Sequence, residues 1–210
     1  MPHSIALFDL DGVILDTEGS YTAFWDDYGS RHFSEKDFGL KIKGQTLVKI
    51  LGDYFTEENE RKAITDAIND FERKMSYPFV PGVENYIKSL KSNGIRTAVV
   101  TSSNLLKMEN VYRCHPGFRE MFDMILTSED FSESKPSPYC YLKAMRLFGA
   151  GPEDCVVFED SLAGLQSARA SGAFVTALTT NNPEEGVRYY ADLVIRDFND
   201  SGIGANGLPH

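Results

Sequence analysis

The sequence predicts an α/β protein: a doubly wound parallel sheet, interrupted after its first strand by an all-helical insertion. Three observations carry this prediction. After residue 80, short apolar runs alternate with segments of helical period, the pattern of parallel βαβ units covered on both faces. Between the first apolar run and that region lies a block in which every apolar stripe has helical spacing. Finally, acidic, hydroxyl and lysine residues gather where strands end, the edge at which open α/β sheets bind ligands.

In chain order, Ile5, Ala6, Leu7 and Phe8 form the first strand. From residue 18 to 75 the apolar stripes are Tyr21, Phe24, Trp25 and Tyr28, then Leu47, Ile50, Leu51 and Tyr54, then Ile64, Ala67, Ile68, Phe71 and Met75. They read as core rather than as a ligand box. Thr56, followed by Glu57 and Glu58, reads as a helix N-cap with favourable first-turn charge. The run Tyr77-Pro78-Phe79-Val80-Pro81-Gly82 breaks the rhythm. The expected division is therefore a core of 1–16 and 81–210 with an insertion over 17–80. Beyond the break, a helix at 83–91 ends at Asn93-Gly94, and strands follow at 97–100 and, more weakly, at 124–126. A helix at 138–148 ends at Gly149, a strand occupies 156–158, and a helix at 162–170 ends at Gly172. Strands at 174–178 and 193–195 complete the pattern. Gly202-Ile203-Gly204-Ala205-Asn206-Gly207 spells G-x-G-x-x-G, but no helix follows it, so it reads as a flexible tail.

Composition narrows the function classes. At 210 residues and 42% hydrophobic content, the chain can bury one core and a smaller second one. A net charge of -10 argues against nucleic acid or an anionic membrane as partner. An anionic substrate would have to be met by a few placed cations and a metal. Cys114, Cys140 and Cys155 are too few and too scattered for a disulfide framework or a zinc site, and Cys155 reads as a buried reduced thiol. With no charged-plus-apolar leader and no apolar run of membrane length, the expectation is a soluble, cytoplasmic monomer.

Four signals share the strand ends. They are Asp9 with Asp11, then Thr101-Ser102-Ser103, then Lys135 in Ser134-Lys135-Pro136, then Glu159-Asp160. Each has a plainer explanation: an Asp/Gly turn, a helix cap, a solvated lysine, a charge-favoured helix start. Residues two apart on extended chain project to one side, so Asp9 and Asp11 can face a common centre. An EF-hand fits poorly, because its glycine belongs at the sixth loop position and Gly12 falls at the fourth. All four signals together suit phosphoryl transfer, which needs a nucleophile, a proton donor, cationic neutralisation and a metal. Clustered carboxylates suit Mg²⁺, Lys135 supplies fixed positive charge, and the Thr101 hydroxyl can hold a phosphoryl oxygen.

The set Asp9-x-Asp11-Gly12-Val13-x-x-Asp16-Thr17, Thr101, Lys135-Pro136 and Glu159-Asp160-Ser161 resembles the haloacid dehalogenase superfamily. More closely, it is similar to the beta-phosphoglucomutase-like branch of phosphatases and phosphohexomutases, over essentially the whole chain. The resemblance implies a Rossmann-like core with a helical cap, and an aspartyl-phosphate intermediate on Asp9. It implies that Asp11 is the acid and base, and that Thr101 and Lys135 hold phosphoryl oxygens. It implies Mg²⁺ bound by Asp9, the Asp11 carbonyl, Asp160 and Glu159, the last directly or through water. Ser102, Ser103 and Asn104 become substrate contacts, as do Glu18, Lys43, Gly44 and Gln45 from the cap.

Two departures bear on the reaction. Where mutases of this branch carry a cap histidine and an arginine, this chain has Tyr21 and Leu47, and Glu18 after Asp16-Thr17 is typical of the plain phosphatases. Leucine cannot replace a bidentate arginine grip on a second phosphate. The resulting expectation is a Mg²⁺-dependent phosphatase of a small phosphorylated metabolite, a sugar or polyol phosphate. The alternatives are a phosphosugar mutase, an inorganic pyrophosphatase, and a binding module that kept the fold without turnover.

Overall fold

The computed structural model describes residues 3–42 and 47–200. Lys43, Gly44, Gln45 and the glycine-rich run at 202–207 lie outside the described residues. The chain divides into two compact units, Met1–Asp16 with Tyr77–His210, and Thr17–Ser76. The second boundary falls before Tyr77 rather than after Val80. The reason is backbone pairing: Phe79 bridges Leu15, Asp16 N donates to Pro78 O at 2.8 Å, and Val80 N donates to Ile14 O at 2.9 Å. The breaker segment is thereby tied to the chain that leaves the first strand.

Strand β1 (Ile5–Phe8) is followed by the helices α1 (Glu18–His32), α2 (Phe38–Ile42), α3 (Leu47–Tyr54) and α4 (Glu58–Lys74). Then come α5 (Val83–Ser92), β2 (Arg96–Val100), α6 (Leu105–Cys114), β3 (Met124–Leu126) and α7 (Tyr139–Phe148). The rest is β4 (Cys155–Glu159), α8 (Leu162–Ser171), β5 (Phe174–Leu178), α9 (Glu184–Val187) and β6 (Leu193–Ile195). Among the described residues, six strands form one sheet in the order β3-β2-β1-β4-β5-β6, every pair parallel. The order reverses at β1, with β2 on one side and β4 on the other. That is the switch point at which such sheets open a crevice beyond their carboxyl ends.

Burial on both faces explains the unbroken apolar strands. Alternate residues point to opposite sides. Phe8 stacks on Phe158 at 4.6 Å, with Tyr86 from α5 and Phe198 closing that layer. Ile5, Leu7 and Val157 join the other layer with Tyr141 of α7 and Leu165 of α8. Cys140 and Cys155 are buried free thiols and Cys114 is exposed; burial pushes the Cys155 thiol up to about 12.

The second unit is a helical cluster built on aromatic packing. Trp25, Tyr28, Phe38, Ile50, Phe55, Ile64 and Ile68 form its buried centre. Gly29 is required there, because a Cβ would overlap the Phe38 side chain. Thr56 is not the cap of α4: Glu57 holds that position in extended conformation, and its side chain makes no capping hydrogen bond. No helix among the described residues is long and apolar enough to cross a membrane.

Candidate active site

Parallel pairing of β1 with β4 sets Phe8 opposite Phe158, and Asp9 N donates to Phe158 O at 3.0 Å. The next residue of each chain therefore emerges at one place. Asp9, Glu159 and Asp160 are all buried, with carboxylate oxygens within 4.8 Å of one another. Lys135 reaches this cluster from the loop after β3. Its Nζ donates to Asp9 Oδ1 at 2.6 Å, to Glu159 Oε1 at 2.6 Å and to Val100 O at 3.2 Å. The ammonium also lies 5.1 Å from the centre of the Tyr141 ring, whose hydroxyl donates to Glu159 Oε1 at 2.8 Å.

Glu159 is the most heavily engaged carboxylate. Its Oε1 takes Lys135 and Tyr141, while Oε2 takes Asp160 N at 3.1 Å and both Ser161 N and Ser161 Oγ at 3.2 Å. Five donors on a group with about four lone-pair positions leave little capacity for a direct metal bond. This side chain holds Lys135 and the following loop in place. Gly164 makes room for it, because a Cβ there would overlap the Glu159 carboxyl.

The electrostatics are unbalanced. Burial is the main reason that the Asp9 carboxyl is pushed up to about 7, with Lys135 opposing the rise and Glu159 adding to it. Burial alone would lower the Lys135 ammonium, but Asp9 and Glu159 carry it well above its usual range. Two of the three buried carboxylates, Asp9 and Glu159, share Lys135.

The loop after β1 supplies a second constellation. Gly12 takes φ +72°, a left-handed conformation that glycine adopts without strain, and a Cβ there would overlap the Asp160 carboxyl. Thr180 Oγ1 donates to Gly12 O at 2.5 Å, and Asn182 Nδ2 donates to Asp160 O at 2.9 Å. The Asp11 carboxyl meets Lys107 Nζ at 2.6 Å and Ser103 Oγ at 2.9 Å, both on Oδ2. Thr101 is buried at the end of β2, and its Oγ1 accepts from Ser103 N at 3.0 Å.

The structure thus brings Asp9, Asp11, Thr101, Ser103, Lys135, Glu159 and Asp160 to the carboxyl ends of β1, β2 and β4. Ser102 is exposed in the same loop, and the Asn104 side-chain oxygen caps α6 by accepting from Lys107 N at 2.9 Å. Glu18 belongs to the other unit, as the first residue of α1. Four residues of the site escaped the sequence reading: Lys107, Tyr141, Thr180 and Asn182. Lys107 lies in the first turn of α6, a helix whose buried face carries Lys107 and Asn110 beside Met108 and Val111 and so lacks a clean apolar stripe. Tyr141 looked like ordinary core within α7, and Thr180 and Asn182 carry no motif.

Residues 3–172 match the model of the haloacid dehalogenase-like hydrolases. The chain belongs to this family. Among its relatives, the bifunctional riboflavin kinase/FMN phosphatase of Arabidopsis thaliana is 30% identical over 98% of this chain but only 56% of that protein. The chain thus spans about half the length of that relative. The validoxylamine A 7'-phosphate phosphatase of Streptomyces hygroscopicus subsp. limoneus is 26% identical, over 94% of this chain and 95% of its own. Among solved structures of hydrolases with this fold, CbbY from Rhodobacter sphaeroides in complex with phosphate superposes with a TM-score of 0.74 at 25% identity. That superposition covers 98% of this chain and 99% of CbbY.

Proposed function

We propose that this hydrolase is a Mg²⁺-dependent phosphatase acting on a small sugar or polyol phosphate through an aspartyl-phosphate. The observation that carries the reading is the cluster of Asp9, Glu159 and Asp160 at the sheet switch point, with the Lys135 ammonium bound to Asp9 and Glu159. The donor set fits Mg²⁺: it is all hard oxygen, with carboxylate oxygens of Asp9, Glu159 and Asp160 within 4.8 Å of one another. Asp9, Asp160 and the Asp11 main-chain carbonyl would hold the ion, with Glu159 acting through its hydrogen bonds. When bound, Mg²⁺ supplies charge neutralisation for Asp9 and the phosphoryl group.

The remaining chemistry belongs to the chain. The Asp9 carboxylate attacks phosphorus, the bond to the ester oxygen breaks, and Asp11 gives that oxygen a proton. Water then attacks the aspartyl-phosphate, Asp11 takes the proton, and Asp9 is released with free phosphate. Lys135 and the Thr101 hydroxyl hold phosphoryl oxygens as their charge grows. We assign Ser102, Ser103 and Asn104 to the substrate side of the loop, and the helical unit, with Glu18, Lys43, Gly44 and Gln45, to a cap that selects the substrate. Phosphatase-named relatives support hydrolysis over transfer. So does Tyr21, whose hydroxyl donates to Glu72 at 2.7 Å where a mutase would keep a histidine.

The decisive experiment screens phosphorylated metabolites for phosphate release, with Asp9→Asn as control. Activity should require Mg²⁺ and fall by about 1,000-fold or more in Asp9→Asn, because a carboxamide forms no acyl-phosphate. Turnover that survives Asp9→Asn or thorough chelation would sink the mechanism. Conversion of beta-glucose 1-phosphate to glucose 6-phosphate without phosphate release would favour a mutase instead.

A further inference from the structure

We propose that Lys107 is the residue that positions Asp11 for proton transfer, acting with Ser103 through a single carboxyl oxygen. The inference rests on the phosphatase reading above and adds a residue to it. Lys107 is 5% exposed on α6, and its Nζ lies 2.6 Å from Asp11 Oδ2. A lysine is rarely buried this far without a specific partner. Ser103 Oγ donates to the same oxygen at 2.9 Å, and Ser103 N is in turn held by Thr101 Oγ1 at 3.0 Å.

Two donors converging on Oδ2 fix the plane of the Asp11 carboxyl. Asn104 sets the geometry: by capping α6 at Lys107 N, it starts the helix so that Lys107 stands one turn from the Thr101 loop. Lys107 does not touch the reacting atoms in this assignment, and it acts only through Asp11.

The test uses kcat/KM for a series of phenyl phosphates from 4-nitrophenyl to 4-methoxyphenyl, which reports the steps up to departure of the phenol. A good leaving group needs little protonation, and a poor one depends on it. Lys107→Met should lose about 2–3-fold on 4-nitrophenyl phosphate and about 10–100-fold on the 4-methoxy ester. Lys107→Arg should recover part of the loss, and Ser103→Ala should steepen the trend in the same direction by less. Combined with Asp11→Asn, Lys107→Met should add almost nothing, because both act through one group. A uniform loss across the series, or full additivity with Asp11→Asn, would overturn the role. Should Lys107→Met fail to fold, Ser103→Ala and Lys107→Arg decide on the same slope. If wild type cleaves none of the esters and releases phosphate from no metabolite in the screen above, the phosphatase reading itself fails and takes this inference with it. Cleavage with parallel slopes in wild type and variants removes Lys107 alone.

Discussion

The two units of this chain handle charge in opposite ways. In the sheet unit the ion pairs that matter are buried, Lys135 with Asp9 and Glu159, or partly buried, Lys107 with Asp11. In the helical unit the described ion pairs lie at the surface, among them Arg31 with Asp27, Lys49 with Asp53, and Lys74 and Arg73 with Asp70. Glu72, bonded by Tyr21, is the buried charged residue among that unit's described side chains. Buried ion pairs cost desolvation and rarely stabilise a fold better than apolar residues would. A protein that keeps them at one sheet edge keeps them for chemistry. The helical unit is free of that demand and draws its stability from aromatic packing instead.

The largest effect that tests this contrast is Lys135→Met. It leaves Asp9 and Glu159 buried without their ammonium, and breaking such a pair costs about 3–5 kcal/mol. Urea unfolding in EDTA should show that loss, with Mg²⁺ restoring part of it. Unchanged stability would mean that the cluster is wetter than its burial indicates.

The second test is pH. The folded-state Asp9 carboxyl stands at about 7, above its usual value, so between about pH 4 and 7 the native state binds a proton that the unfolded chain has released. That contribution is full at low pH and is lost as pH rises, by at most about 1.4 kcal/mol per pH unit. In EDTA the stability of wild type relative to Asp9→Asn should fall from pH 5 to 7, and Mg²⁺ should flatten the difference. A relative gain across that range would reverse the sign and refute the assignment.

The contrast also explains what could be read from the sequence. Strands β1, β3, β5 and β6 coincide with the runs read from the sequence: β1 is apolar and buried throughout, and β5 carries one buried hydroxyl, Thr176, among apolar residues. Strand β4 runs one residue further at each end, to Cys155 and Glu159, since Glu159 pairs in register with Ala177 despite its charge. The core motifs were legible because Asp, Lys and Glu stand out against apolar strands. Helix α6 and Lys107 were not, because a buried lysine and Asn110 erase the stripe by which a helix is recognised. The short helices α2 and α9 hold too few residues to set up a period.

A smaller effect belongs to Tyr21→Phe in the helical unit. It removes the 2.7 Å hydrogen bond to buried Glu72 while keeping the ring against Phe71 at 5.6 Å. Hydrogen bonds to charged groups contribute about 1.5–3 kcal/mol, and the partial exposure of Tyr21 places the loss at about 1–2 kcal/mol. Thermal unfolding should show a modest drop, with kcat on the best substrate unchanged or nearly so. A gain of glucose 6-phosphate formation in Tyr21→His, made at the same position, would sharpen the link between this residue and the hydrolytic outcome.

The smallest effect is expected for Asp70→Asn, and it is the cleanest control. Asp70 accepts from Lys74 at 2.7 Å and from Arg73 at 3.0 Å, all on the outer face of α4. Its carboxyl is held below its usual value by the hydrogen bond from Lys74 and by the charges of Lys74 and Arg73. The three side chains are 46%, 73% and 59% exposed, so water and salt screen the attraction, and long side chains lose rotamer freedom in making it. The urea midpoint of Asp70→Asn should match wild type within error at 150 mM salt and separate from it only slightly at low salt. A drop as large as that of Tyr21→Phe would show that the helical unit leans on its surface network after all. The division between a charge-bearing sheet edge and a packing-stabilised helical unit would then fail at its simplest point.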